Sequence, residues 1–155
     1  MRIGIVGKYV SLRDSYISLV EAIKHAGGAN LTAVDLKWID SETVTEANVA
    51  NKLKDVDGII IPGGFGERGV EGMIVACKYA RTHALPYLGI CLGMQVTVIE
   101  YARDVLGFKD ATSGEFAHTE HTVIDIMPDK KGKKLGGTMR LGSYPCAVKD
   151  GTKIK

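Results

Sequence analysis

A chain of 155 residues with 45% hydrophobic and 25% charged side chains lies in the ordinary globular range. At that length, one domain can bury roughly 70% of its unfolded surface without disulfides or metal. Twenty basic against eighteen acidic residues leave a formal charge of +2, too balanced to point to nucleic acid or an anionic membrane as partner. Three cysteines make no disulfide framework and fit a reducing, cytoplasmic setting.

In chain order, residues 2–6 predict a short aliphatic strand, too brief for a secretory signal. Cap residues at 11–14 precede a helix whose inner side would carry Ile17, Val20, Ile23 and His25, ended by Gly27-Gly28. Residues 31–36 predict a second strand. Thr43-Val44-Thr45-Glu46 has the spacing of a capping box opening a short helix through Val49 and Leu53. A third strand over 56–61 holds Ile59-Ile60-Ile61, a continuous run suited to a parallel strand covered on both faces. A glycine-rich loop over 62–69 leads to a helix over 70–83. The uncharged stretch 82–99 is interrupted by Pro86, Gly89 and Gly93. It therefore reads as a buried strand over 86–90, a sharp turn and a helix over 92–106, not as a membrane span.

Beyond Gly107 the pattern changes. Residues 122–127 alternate as a strand, 128–134 predict an exposed basic turn, and Cys146-Ala147-Val148 a further short strand. Four successive βα units imply an α/β fold, a doubly wound and mostly parallel sheet with helices on both faces. Ligands are then expected at the carboxyl ends of the strands.

Two segments carry chemistry. Gly89-Ile90-Cys91-Leu92-Gly93-Met94-Gln95 is a thiol version of the nucleophile elbow: glycines two residues either side of Cys91 permit a tight strand-to-helix turn. That turn places the sulfur at a helix N-terminus, where the dipole favours thiolate. Pro62-Gly63-Gly64-Phe65-Gly66 follows the third strand, where glycines let backbone N–H groups face a cleft as an oxyanion hole requires. The loop lacks the Lys-Ser/Thr of a P-loop and any G-x-G-x-x-G pattern. Cys77 and Cys146 read as core packing, and His25 and His83 as surface or capping residues. His118-Thr119-Glu120 reads as an exposed pair and not as a relocated acid–base group. His118 and His121 on one strand would face opposite sides, so no metal site is expected.

Together these two segments resemble the class I, triad-type glutamine amidotransferases, and more narrowly the glutaminase domain of the CTP synthase family. Gly7-Lys8-Tyr9-Val10 with Asp14-Ser15-Tyr16, Arg68 to Ile74, and Gly136-Gly137-Thr138-Met139-Arg140-Leu141-Gly142 extend the likeness over essentially all 155 residues. The resemblance implies that Cys91 is the catalytic nucleophile. It also implies that Gly63, Gly64 and Leu92 form the oxyanion hole, and that Gly64, Leu92, Gly93, Met94, Gln95 and Glu115 hold the substrate, L-glutamine. A carboxylate such as Glu115 suits the α-ammonium group. Glutamine would be hydrolysed through a cysteine thioester, and the ammonia used to aminate UTP to CTP. No cofactor is expected in this domain. ATP and magnesium would belong to a separate amidoligase (synthetase) domain, with GTP as effector, and the full-length family protein would be a homo-oligomer. Arg13, Arg68 and Arg140 are candidates for effector or interface contact against ordinary surface pairing. The family's His-Pro-Glu lies beyond residue 155, so residues 1–155 would be the N-terminal portion of the domain. Two other readings stay open: a non-catalytic fragment that binds glutamine or a partner, and another elbow-cysteine hydrolase on the same scaffold.

Overall fold

The computed structural model describes residues 1–127 and 145–152. Its contacts divide the chain into two compact units, 1–125 and 126–155. The first unit holds a parallel sheet of β1 (Arg2–Gly7), β2 (Asp35–Asp40), β3 (Gly58–Ile61) and β4 (Tyr87–Gly89), in the order β2-β1-β3-β4. The connecting helices are α1 (Ile17–Ala29), α2 (Val49–Leu53), α3 (Val70–Thr82) and α4 (Leu92–Asp104). A short parallel pair, β5 (Thr112–Ser113) with β6 (Thr122–Ile124), follows α4. The α/β parallel sheet expected from the alternating pattern is therefore present, and its order places the ends of β3 and β4 side by side.

Alternation along each strand separates the two faces of the sheet. Val6, Ile39, Ile59 and Ile61 point to one face and build the core with Val49 and Leu53 of α2, Met73, Ala76 and Cys77 of α3, and Leu92, Val96 and Ile99 of α4. The opposite face carries Ile5, paired in register with Ile60 and Trp38. There Tyr16 stacks on Trp38 at 6.3 Å between ring centroids, at the start of α1. Cover on this face thins toward the edge strand, where Leu88 is 54% exposed. On α4, Met94, Val98 and Tyr101 are likewise exposed, as is Val105 just past its end.

Several boundaries differ from the expectations. The second strand runs over Asp35–Asp40, not 31–36. Leu31 is 96% exposed at φ 49°, because the chain turns back through the Thr32 N–H to Gly27 carbonyl bond (2.8 Å) before it can extend. Arg2 then registers opposite Asp35 and pairs with it at 2.7 Å. Gly27-Gly28 does not end α1. Gly27 is buried where a side chain would meet the Thr32 carbonyl at 2.8 Å, so close packing explains that glycine. Ile17 and His25 are exposed, whereas Leu19, Val20 and Ile23 are half-buried. No capping box forms at Thr43 and Glu46. Asp40 instead caps a short 3₁₀ turn (Ser41–Thr43) through the Glu42 N–H, and Glu46 pairs with Lys78. The side chain of Asn48 accepts from the Thr45 N–H and donates to the Thr43 carbonyl, which delays α2 to Val49.

Of the second unit, residues 126–127 and 145–152 are described and form no helix or strand. The short strand expected at Cys146 is absent, and Cys146 is exposed, not packed in a core. The basic turn at 128–134 and the 136–142 stretch with Arg140 lie outside the described residues.

Candidate active site: a strained cysteine beside a glycine loop

β4 ends at Gly89, and α4 begins at Leu92 with only Ile90 and Cys91 between them. The Ile90 N–H still bonds the Ile61 carbonyl at 2.9 Å, so the turn is held against the end of β3. Cys91 sits at φ 55° and ψ −107°, a strained conformation that an L-residue keeps only when its surroundings impose it. The glycines on either side impose it by proximity. A methyl group at Gly89 would lie 2.5 Å from the Gly93 carbonyl carbon, and one at Gly93 would lie 2.1 Å from the Ile61 carbonyl oxygen. The elbow read from the G-x-C-x-G spacing is thus present, with Cys91 exposed at the N-terminus of α4.

The glycine loop lies directly against it. A methyl group at Gly63 would stand 3.4 Å from Cys91 Cβ and 3.9 Å from Sγ, and one at Gly64 would stand 3.4 Å from Leu92 Cδ2. Both segments open into a cleft of about 640 Å³. Pro62, Gly63, Gly64, Phe65 and Cys91 line one part of it, and Tyr9, Tyr16 and Leu19 line another. As the first residue of α4, Leu92 has an N–H with no partner in its own helix. Its side chain is 1% exposed, so Leu92 can serve a ligand only through the backbone. Gly93 has its N–H bonded to the Ile90 carbonyl (3.0 Å) and acts here by lacking a side chain. Met94 is exposed and Gln95 half-buried on the first turn. The Glu115 carboxylate reaches the same loop from outside the helix, accepting the Gly66 N–H at 2.6 Å.

Two supports had no marker in the motif. The Tyr87 hydroxyl donates to the Gly93 carbonyl at 2.7 Å, and the Thr97 hydroxyl lies 3.0 Å from both that carbonyl and the Tyr87 oxygen, with one proton to give to either. Burial pushes the Tyr87 phenol far above its usual range, so it remains protonated and donating across the physiological range. Tyr87→Phe is expected to lower unfolding free energy by about 1 kcal/mol, the worth of one such bond. Urea denaturation with an unchanged slope would measure it. The second support is Lys8, 3% exposed at the end of β1. In the sequence Lys8 is marked only by its place directly after an aliphatic strand, within the Gly7-Lys8-Tyr9-Val10 stretch of the family resemblance.

The remaining candidates are occupied elsewhere. Arg68 pairs with Glu42, donates to the Lys8 carbonyl at 3.2 Å and lies over the Tyr9 ring. Arg13 lies over Trp38. His118 packs beside Gly114 and is not among the residues lining the cleft. His121 pairs with Asp110 at 2.6 Å and stacks on Phe108. His83 stacks on Tyr79 just past the end of α3, as a capping residue would. Cys77 is buried in the core, which pushes its thiol up. Among the described residues no three His, Cys, Asp or Glu side chains converge as metal ligands, and no helix is long and apolar enough to cross a membrane.

Residues 11–155 match the family model of class-I glutamine amidotransferases, so the chain belongs to that family. Its relatives include CTP synthases. The Bacillus subtilis CTP synthase is 59% identical over 153 residues, and the Clostridium beijerinckii CTP synthase 57% identical over 154. These alignments cover 97% and 98% of this chain but 29% of each relative, so the chain spans less than a third of their length. Among solved structures, the glutaminase domain of Trypanosoma brucei CTPS with bound acivicin superposes with a TM-score of 0.81 at 40% identity. That match covers 86% of this chain and 52% of that one.

Proposed function

We propose that this chain carries the glutamine-cleaving site of a CTP synthase, with Cys91 as nucleophile. The observation that carries the reading is the strained Cys91 turn set so close to the Gly63 backbone that a methyl group there would touch Cys91 Cβ at 3.4 Å. The Cys91 sulfur attacks the side-chain carbonyl carbon of glutamine, forming a carbon–sulfur bond. The carbonyl oxygen takes up the charge between the Leu92 amide and the Gly63-Gly64 turn. The carbon–nitrogen bond then breaks, ammonia leaves with the proton from the thiol, and a γ-glutamyl thioester remains. Water hydrolyses the thioester to glutamate and restores the thiol. Gly64, the Leu92–Gln95 turn and Glu115 hold the substrate, the carboxylate oxygen not engaged by Gly66 being available to its α-ammonium group.

Ammonia then aminates UTP in a companion synthetase domain, where ATP and magnesium provide the activation of UTP, with GTP as effector. The relatives' greater length and their name support that division of labour. A cytoplasmic setting and a homo-oligomeric full-length protein belong to the same proposal, as does the assignment of residues 1–155 to the N-terminal portion of an amidotransferase domain.

A chloroketone analogue of glutamine tests the site. Cys91 should be alkylated about tenfold or more faster than Cys77 and Cys146, and L-glutamine should slow it. Peptide mapping reads the result. Equal labelling of Cys91 and the exposed Cys146, unaffected by glutamine, would contradict the proposal.

A further inference from the structure

Lys8 follows the end of β1, next to neither motif in sequence, yet its ammonium group bonds to the glycine loop. Nζ donates to the Phe65 carbonyl at 2.9 Å and to the Gly66 carbonyl at 2.5 Å. Its stem packs against Gly64, where a methyl group would meet Lys8 Cδ at 3.2 Å. The Phe65 carbonyl and the Gly66 N–H belong to one planar trans peptide unit and point in opposite directions. Glu115 accepts that N–H at 2.6 Å. A cation therefore holds one side of the peptide plane and a carboxylate the other, and rotation of the plane would break both charge-assisted bonds.

Arg68 anchors the far end of the loop through Glu42 and the Lys8 carbonyl, which leaves the stretch 63–66 to Lys8 and Glu115. Gly63, Gly64 and Gly66 have wide conformational freedom, and Gly66 stands at φ 73°. Burial of the Lys8 ammonium works against its charge, as does Arg68 nearby, while Glu115 and Glu42 favour it. A buried lysine is costly unless its hydrogen bonds are specific.

We propose that Lys8 and Glu115 are positioning residues that clamp the Phe65–Gly66 peptide, and through it orient the Gly63-Gly64 amides toward the carbonyl attacked by Cys91. The inference rests on the glutaminase reading and assigns Glu115 a second task besides substrate contact. Lys8 itself touches no reacting atom. Its contribution is loop orientation, so its loss affects a reagent that needs the oxyanion site and spares one that needs only the thiol.

The experiment compares alkylation of Cys91 by the glutamine chloroketone and by iodoacetamide in the chain and in Lys8→Met, with the exposed Cys146 as internal reference. Lys8→Met should slow the chloroketone about tenfold to a hundredfold, the loss of bonds from a charged donor. The iodoacetamide rate at Cys91 and the apparent affinity for the chloroketone should stay within about threefold. Equal slowing by both reagents, or by neither, overturns the proposal. Amide hydrogen exchange on the unsubstituted chain gives an independent reading should Lys8→Met fail to fold. The Gly66 amide should exchange about tenfold or more slowly than an unstructured peptide, and an unprotected Gly66 amide overturns the clamp. If the chloroketone does not single out Cys91 in the unsubstituted chain, the glutaminase reading itself fails, and the clamp's catalytic role fails with it.

Discussion

Gly93→Ala is expected to cost about 3 kcal/mol or more of stability and to abolish selective labelling of Cys91. The added methyl group would sit 2.1 Å from the Ile61 carbonyl oxygen. That atom belongs to β3 and already accepts the Ile90 N–H. Neither partner can yield as a flexible side chain would, because both are backbone in the middle of the fold. Relief requires α4 to lift from the end of β3, which separates Leu92 and Cys91 from Gly63 and Gly64. Overpacking of this kind typically costs 1–3 kcal/mol, and more where only backbone can move. Gly28→Ala is the matched control: no atom lies within 4 Å of the new methyl group, and alanine in a helix interior is favoured by about 0.5–1 kcal/mol. Thermal or urea unfolding of both variants, alongside chloroketone labelling, gives the comparison. An elbow that tolerates Gly93→Ala with intact labelling would show that the close approach to β3 does not fix the thiol.

The second large effect is expected at a pair remote from the thiol. Glu100 on α4 is completely buried, and Arg81 on α3 holds it through Nε at 3.1 and 3.0 Å and Nη2 at 2.7 Å. Arg81→Met leaves a buried carboxylate without its counter-charge, which for a fully buried pair costs 3–5 kcal/mol. The Arg81 side chain is 37% exposed, so water offsets part of this and roughly 2–4 kcal/mol is expected. The double variant Arg81→Met with Glu100→Leu should recover most of the loss, since a packed apolar pair removes the orphaned charge. Urea midpoints of the single and double variants decide the point. A double variant no better than the single one would show that the arginine acts by packing its stem.

How legible the molecule was from its residues depends on where local chemistry and tertiary geometry agree. β3 and the Cys91 elbow were legible because aliphatic runs end at glycines that the turns require. β2 was misplaced by four residues because Leu31, Ala33, Val34 and Leu36 form an apolar run. The strand instead interleaves Lys37, which reaches Asp55, with Trp38 and Ile39. Its register against β1, not its own hydrophobicity, selects 35–40. The Thr43–Glu46 spacing misled for a similar reason, since Asp40 and Asn48 offered competing caps and Lys78 took Glu46. At the site, the Cys91 elbow and the glycine loop were read from spacing. Lys8 and Tyr87 were not, because their roles depend on which strand ends lie together.

The most direct test of the central claim is a crystal structure of the chain after reaction with the glutamine chloroketone. The account predicts a thioether on Cys91, formed as the sulfur displaces chloride, with the retained ketone oxygen about 2.7–3.1 Å from the Leu92 amide and from an amide of the Gly63-Gly64 turn. A Cys91 adduct whose oxygen faces solvent, beyond hydrogen-bonding distance of both, would contradict it.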